Sequence, residues 1–368
     1  MFSRFLLAFI SLLLSSAAFT QERPVAPLPS SPYELAANGA QTADTPEKRA
    51  VALNFLERAR QNTDLHGLSS APFILKASFD STGAVRHTGS GKLEEIWLSG
   101  RTYRWIASMN DYWQVRLSYQ GRIYDQHRGD LIPLRVRMLR TVVFWPIHSP
   151  ATRAALRIVD ANWKGTAVTC VLVAGPGLAP APGRHWEETE YCVDQKTGLL
   201  QIYSEAPGIY TIYDYAGGPQ FHGHILPSHI TIFEGSSPVL TAHIESMEDG
   251  SKTDPDSLKP TGEMQAAGPE PVLTSPMRFP QLVKSPAAGS GSMVQPVIVH
   301  AIIGEDGKVL DAEALPGGNA ALEQSALEIV KGTAYSPRMR AEQAQREAFI
   351  NVKFTPEGST QARAHVNK

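Results

Sequence analysis

The sequence predicts an α+β protein in which a large curved antiparallel β half-barrel with a packed helix precedes a small domain of element order ββαβ. From residue 73 onward, apolar and polar residues alternate in many short runs separated by turn residues, and one amphipathic helix comes before them. A stretch rich in proline and glycine, 246–294, separates these runs from a second group of strands. The length of 368 residues fits two such domains.

The N-terminus has the pattern of a secretory signal peptide over residues 1–18. Arg4 supplies a positive charge, residues 5–14 form an apolar run, and Ser16 and Ala18 suit the cleavage positions. Ten helical residues span about 15 Å, half of a hydrocarbon core. We therefore expect a periplasmic or secreted chain without a transmembrane segment after cleavage, and a flexible leader over 19–44. An uncleaved membrane anchor is the alternative.

The first domain is predicted over 45–245 and opens with a helix. Thr45 suits the N-cap and Pro46 the first helical position. An apolar stripe of Val51, Phe55 and Ala59, with Leu56 beside it, is predicted to face the sheet. Strands are predicted at 73–79, 90–98, 102–108, 113–119, 122–124, 155–163, 167–174, 186–193, 199–204, 209–215, 224–233 and 239–245.

A second, short helix is predicted over 133–143, where apolar residues recur near helical spacing. Arg135, Arg137 and Arg140 fall between them and, with His148, suggest a modest basic patch. Its two interpretations are a solvated helix face and a contact site for anionic lipid.

The two cysteines are predicted to form a structural disulfide. Cys170 and Cys192 lie in neighbouring predicted strands joined by a Pro/Gly-rich connection, and opposed positions on a hairpin meet disulfide geometry. A redox pair would instead need close spacing such as Cys-x-x-Cys.

The C-terminal part reads as a linker over 246–294, a small domain over 295–357 and a disordered tail over 358–368. The small domain is expected to contain a strand from 297, a turn at 304–307, a returning strand at 308–314, a helix capped by Asn319 and ending at Gly332, and a strand at 348–354.

Residues 297–354 resemble the C-terminal domain of TonB-type proteins. The resemblance rests on an apolar strand, the Asp306-Gly307-Lys308-Val309 turn, the Gln324-Ser325-Ala326-Leu327 helix segment, and Lys331 with Tyr335 and Pro337. It implies that a partner, such as a segment of an outer-membrane transporter or another envelope protein, binds by strand addition. The expected partner-binding residues are Val297, Val299, Ala301, Phe349, Asn351 and Lys353. Docking on the first domain is the alternative role.

Residues 45–245 resemble the half-barrels of LolA-type lipoprotein carriers and RseB-type periplasmic sensors. The resemblance rests on the opening helix, Gly91 with Glu95-Ile96-Trp97, Tyr103-Arg104, Gly223 and Leu226-Pro227. It implies a concave apolar face that holds a lipid or acyl chain, with Trp97, Trp105, Trp113 and Tyr119 as the expected lining. The alternative is that these aromatic residues fill a closed core.

Catalytic and metal-binding signals are sparse. His222, His224 and His229 are candidate metal ligands, because an HxH pair on a strand places both rings on one face. The chain lacks a Gly-x-Ser-x-Gly elbow. With 34 Lys+Arg against 36 Asp+Glu, it also lacks a chain-wide basic field for nucleic acid.

These patterns together predict a non-enzymatic exported envelope protein without a cofactor. Its β domain would bind a hydrophobic ligand or a protein, and its TonB-like domain would bind a partner strand. The alternatives are a TonB-type energy transducer that keeps its N-terminal anchor, and a metal-dependent hydrolase built on the β domain.

Overall fold

The computed structural model describes residues 39–67, 71–83, 88–110, 112–128, 134–150, 152–174, 188–206, 209–234, 237–269, 295–303, 308–314, 320–333, 346–354 and 365–366. The predicted signal peptide and most of the leader lie outside these residues. No helix within the described ranges is both long and apolar enough to cross a membrane.

In the residues that the structure describes, the first domain contains fifteen strands, two helices and a folded C-terminal extension. Its strands are β1 (Gln41–Thr42), β2 (Phe73–Ser81), β3 (Gly89–Ser99), β4 (Thr102–Met109), β5 (Tyr112–Tyr119), β6 (Arg122–Arg128), β7 (Ala155–Trp163), β8 (Thr166–Ala174), β9 (Thr189–Asp194), β10 (Leu200–Ala206), β11 (Ile209–Asp214), β12 (Gln220–Phe221), β13 (His224–Ile225), β14 (His229–Glu234) and β15 (Ser237–Asp249). Its helices are α1 (Pro46–Thr63) and α2 (Leu134–Phe144).

Thirteen of these strands form one antiparallel sheet in the order β1-β7-β8-β9-β10-β11-β14-β15-β2-β3-β4-β5-β6. Helix α1 lies against β7 to β10 and helix α2 against β15. One continuous apolar core joins the two helices to a single face of the sheet. The predicted large antiparallel sheet with a packed helix is therefore confirmed.

Helix α1 begins as predicted, but its buried stripe is shifted. The Thr45 hydroxyl caps it by accepting a hydrogen bond from the Lys48 backbone N–H. Ala52, Leu56 and Ala59 form the buried stripe, while Val51 is 50% exposed. Val51 precedes Ala52 by one residue, which rotates its side chain by about 100° away from the sheet.

The sheet domain extends past the predicted boundary at residue 245. Strand β15 continues to Asp249, and a 3-10 helix (Pro255–Leu258) and helix α3 (Gly262–Ala267) follow it. Leu258 and Met264 are buried, and Met264 packs against Val115 and Leu117 of β5. The first part of the predicted linker is therefore folded, because it covers apolar side chains on the face of β5 opposite the helices. Residues 270–294 lie outside the described part.

The predicted disulfide is present. Cys170 and Cys192 stand directly opposite each other on β8 and β9, with their Cα atoms 3.9 Å apart. The bridge lies in a small buried cluster with Val168 and Ile202. The pair therefore links two neighbouring strands on the face opposite α1.

The C-terminal elements follow the predicted order. They are β16 (Gln295–Ile303), β17 (Val309–Ala314), α4 (Ala320–Gly332), β18 (Arg346–Phe354) and a two-residue strand β19 (His365–Val366). The sheet order is β17-β16-β18-β19, and α4 contributes Ala326 and Val330 to a core shared with β16.

This order changes the expected binding edge. Strand β16 pairs with β17 on one side and β18 on the other, and Val297, Val299 and Ala301 are buried. Strand β18, which carries Phe349, Asn351 and Lys353, pairs with β16, and β19 joins its other side at Ile350 and Asn351. The backbone of β16 is therefore not open to a partner, and that part of the prediction is corrected. Among the described strands, β17 is a full-length edge.

Candidate functional site

A cleft of about 660 Å³ lies where the C-terminal end of α1 meets the beginning of β2 and the β12–β13 hairpin. Its apolar lining comes from Leu65, Ala71, Phe73, Phe221 and Met247. Its polar lining comes from Arg60, Gln61, Asp64, His66, His222 and His224. The cleft thus combines an apolar surface with a polar border.

The β12–β13 hairpin closes one side of the cleft. Phe221 pairs with His224, and His222 and Gly223 form the turn between them with φ values of 45° and 85°. Positive φ at both central residues is the geometry of a two-residue type I′ hairpin. His224 lies near α1, where its Nδ1 is 3.2 Å from the Asn62 carbonyl oxygen.

His66 forms part of the cleft wall and is enclosed by aromatic rings. Its side chain is 5% exposed, and its ring centroid lies 4.1 Å from that of Trp97 and 4.7 Å from that of Phe144. The rings of Phe73 and Trp145 complete the enclosure at 5.7 and 4.8 Å. Stacking of this kind holds the imidazole in one orientation.

Glu95 connects His66 to helix α2. Its Oε1 lies 2.7 Å from His66 Nε2, and its Oε2 accepts a hydrogen bond of 3.3 Å from Arg140 Nη2. The Arg140 guanidinium lies over Trp105, 4.0 Å from the ring centroid. Burial lowers the pKa of Arg140, and the neighbouring Glu95 carboxylate opposes that shift. A chain of three interacting residues, His66, Glu95 and Arg140, therefore supports the wall behind the cleft.

Two of the three arginines predicted to form a basic patch on α2 face the interior instead. Arg135 is fully buried and pairs with Glu234, while Arg140 faces Glu95 inside the domain. The helical period places both side chains toward the sheet, where carboxylates on β3 and β14 compensate their charge. His148 is exposed in the segment after the helix.

The four aromatic residues expected to line one apolar face lie on two opposite faces. Trp97 and Trp105 are buried in the core beneath the helices. Trp105 pairs with Arg116, so the even-numbered residues of β5 share its face of the sheet. Successive residues of a strand point to opposite faces, so Trp113 and Tyr119 lie on the other face. There they pack beside Met264. None of the four lines the cleft, so the predicted shared lining is corrected.

The three candidate histidine ligands do not converge. The predicted strand 224–233 is broken at Pro227, which leaves His222 in a turn, His224 in β13 and His229 in β14. In the described part of the chain, the only group of three His, Cys, Asp or Glu ligands within mutual reach is Cys170, Glu190 and Cys192. The two cysteines are joined as a disulfide, so the predicted triple is not a metal centre.

Comparisons with known proteins give only distant likenesses. One solved structure, a LolA superfamily protein from Nitrosomonas europaea, has a TM-score of 0.39 at 9% identity, covering 57% of this chain and 97% of that chain. A Vibrio parahaemolyticus domain described as an outer membrane lipoprotein-sorting protein has a TM-score of 0.35 at 9% identity, covering 56% and 97%. No protein-family model matches the chain, and no curated protein matches it.

Both TM-scores are below 0.5, so neither likeness assigns a function to this chain. The resemblance of residues 297–354 to TonB-type proteins stays a prediction.

Sequence patterns did not identify the cleft. Its walls come from segments about 180 residues apart in the chain, from Arg60 to Met247. His66 follows the end of α1, and Phe221 belongs to a two-residue strand, so neither lies in a periodic run. The strongest local signal was the type I′ turn at His222-Gly223, which predicts a hairpin but not its contact with α1.

Proposed function

We propose that this chain is a non-enzymatic, exported cell-envelope protein whose large β domain binds an amphipathic ligand in the cleft between α1, β2 and the β12–β13 hairpin. The ligand would be an acyl chain or an apolar protein segment with a polar end. The observation that carries the proposal is a cleft of about 660 Å³ that is lined by both apolar and polar side chains.

The size and lining of the cleft support ligand binding. Ligand sites commonly enclose about 300–1,000 Å³ and combine apolar walls with a few polar groups that set orientation. Here Phe73, Phe221 and Met247 are apolar residues of the lining, and Arg60 and His222 are polar residues of the same lining.

The polar groups beside the cleft support binding rather than proton transfer. His66 is held by Glu95 and by four aromatic rings, and Glu95 is also bound by Arg140. Arg60 is bound to Glu57 and Asp64 along α1, at 2.8 and 3.0 Å. These interactions fix the walls of the cleft and occupy the carboxylates.

A titration with a dansyl-labelled fatty acid tests this proposal. We expect saturable binding of one molecule per chain by the purified protein. Ala71→Trp places an indole in the cleft and is expected to weaken binding at least tenfold. Val51→Trp is the matched control, because Val51 lies on the exposed side of α1. Absence of saturable binding, or equal affinity of Ala71→Trp and the original protein, would refute the proposal.

Partner binding by strand addition has its own supporting observation. Among the described strands, β17 pairs only with β16, and its Leu310 is 58% exposed. A strand edge of this kind accepts an extended peptide through backbone hydrogen bonds. The proposed binding surface is therefore β17 rather than β16.

Site-specific photo-crosslinking tests this second role. A benzophenone amino acid at Leu310, in cells that produce the protein, is expected to yield one discrete adduct. The same label at Gln324, an exposed residue of helix α4, is the control. Equal labelling at both positions, or no adduct at Leu310, contradicts strand addition at β17.

The export proposal is tested by mass spectrometry of the protein recovered from the envelope. Cleavage after Ala18 would give an N-terminus at Phe19. An intact Met1 would instead support the anchored transducer.

A further inference from the structure

Two histidines outside the cleft form a cross-strand pair on the outer face of the large sheet. His229 of β14 stands directly opposite His243 of β15, and their ring centroids are 4.7 Å apart. Both residues are exposed, whereas Ile230 and Ala242 beside them point into the core. The two imidazoles are therefore held side by side by the strand register and face the solvent.

One residue, Ser228, orients both rings. Its backbone oxygen is 3.0 Å from His243 Nδ1, and a carbonyl oxygen only accepts, so His243 carries its hydrogen on Nδ1. The Ser228 hydroxyl donates to the Asp214 carbonyl oxygen at 3.2 Å and lies 3.1 Å from His229 Nδ1. The hydroxyl therefore contacts His229 Nδ1 as well as Asp214, and it holds the His229 ring with Nδ1 toward Ser228.

The consequence is that Ser228 contacts Nδ1 of both rings and leaves both Nε2 atoms available to another ligand. A histidine that donates from one ring nitrogen to a neighbouring oxygen presents the other nitrogen as a metal ligand, and such supporting contacts are typical of metal sites. In this pair a single buried serine provides both supporting contacts. Two histidines that are neighbours on a surface by chance would not be expected to share one residue that orients both rings.

The spacing of the rings matches a shared ion. Two imidazoles bound to one divalent ion at about 2.1 Å have centroids roughly 4.5 to 5.2 Å apart. The observed 4.7 Å lies in this range. On the other side of β14, His229 pairs with Asp214 of β11. The Oδ1 atom of Asp214 accepts a hydrogen bond from the Ala216 backbone N–H.

From this geometry we infer that His229 and His243 form a binding site for a divalent transition metal ion, with Cu²⁺ bound more tightly than Zn²⁺. Imidazole nitrogen suits both ions, and Cu²⁺ forms the stronger complexes among first-row divalent metals. The Nε2 atoms occupy two adjacent coordination positions, and water fills the others. The site is separate from the cleft and does not depend on the proposed ligand.

Titration of the purified protein with Cu²⁺, followed by electron paramagnetic resonance, tests the inference. We expect one Cu²⁺ per chain with hyperfine coupling to two imidazole nitrogens. His229→Ala and His243→Ala should each remove one coupled nitrogen and weaken binding at least tenfold. His148→Ala, at another exposed histidine, should leave the spectrum and the affinity unchanged.

Ser228→Ala distinguishes an oriented site from a pair of ordinary surface histidines. It keeps both metal ligands and the backbone oxygen but removes the hydroxyl that holds His229. Loss of such a supporting contact is expected to weaken metal binding roughly tenfold or more. Circular dichroism on each variant checks that the sheet is intact.

Three outcomes would overturn the inference. The first is equal copper affinity in His229→Ala, His243→Ala and the original protein. The second is a spectrum assigned to the N-terminal amine. The third is unchanged affinity in Ser228→Ala.

Discussion

Arg135 and Glu234 form an ion pair in the interior of the large domain. Arg135 Nη1 lies 2.6 Å from Glu234 Oε1, and the two side chains are 0% and 3% exposed. Arg135 also donates from Nη2 to the backbone oxygen of Thr82 at 3.3 Å. Helix α2 is therefore joined to β14 by charge as well as by apolar packing.

Breaking this pair is expected to destabilise the domain strongly. Glu234→Gln leaves the Arg135 guanidinium buried without a counter-charge, and arginine cannot lose its proton in proteins. We expect the free energy of unfolding to fall by about 3 to 5 kcal/mol. Urea unfolding monitored by tryptophan fluorescence measures the change.

Two further variants check this interpretation. Glu245→Gln removes an exposed carboxylate from β15 and should change stability by less than about 0.5 kcal/mol. Arg135→Met combined with Glu234→Leu removes both charges and should cost less than the two single substitutions summed. Additive effects in that double variant would contradict a direct interaction.

Arg140→Lys is expected to cost about 1 to 2 kcal/mol although it keeps the positive charge. Lysine lacks the planar guanidinium that lies over Trp105, and its ammonium group cannot reproduce that stacked geometry. Chemical denaturation measures the loss, and tryptophan emission reports the changed surroundings of Trp105. Arg122→Lys, at an exposed position of β6, is the control; an equal cost at both sites would exclude a role for stacking.

Gly91→Ala is expected to destabilise the sheet by about 1 to 3 kcal/mol through overpacking. Gly91 pairs with Phe79, and a Cβ atom added at Gly91 would lie 2.2 Å from Phe79 Cζ. A thermal melt shows the loss. Phe79→Leu in the same chain should recover part of it, because the ring tip is removed.

Gly262→Ala provides the comparison for that experiment. No atom lies within 4 Å of a Cβ added there, and Gly262 begins helix α3. Alanine favours helix over glycine by up to about 1 kcal/mol. Equal destabilisation by both substitutions would exclude the contact with Phe79 as the cause.

Loss of the Cys170–Cys192 disulfide is expected to lower stability by about 3 kcal/mol. The bridge closes a loop of 22 residues in sequence separation, and opening it enlarges the unfolded ensemble. Cys170→Ala with Cys192→Ala, compared with the oxidised protein in urea, measures the loss. The reductant dithiothreitol should destabilise only the original protein; an equal effect on the double variant would point to another cause.

Local patterns in the sequence were sufficient to predict most of the strands and helices. Period-two alternation predicted most strands of the large sheet, and the Thr45-Pro46 pair predicted the start of α1, because hydrophobic period and capping are short-range properties. The neighbouring strands and opposed positions of Cys170 and Cys192 also followed from local signals.

These local patterns could not predict which side chains face the interior or in which order the strands pair. The sequence predicted Arg135 and Arg140 to lie on the surface. In the structure they pair in the interior with the carboxylates of Glu234 and Glu95. A charge enters a core only when a partner compensates it, and these partners come from strands 99 and 45 residues away in sequence. Likewise, β16 is an inner strand only because β18 pairs with it.

The amino-acid sequence by itself determined most of the segments of this protein that become strands and helices, since each depends on residues within a few positions. Tertiary structure alone decided where the cleft lies and which histidines meet. Those features arise from the register between distant strands, and pairing His229 with His243 requires the whole sheet to be assembled.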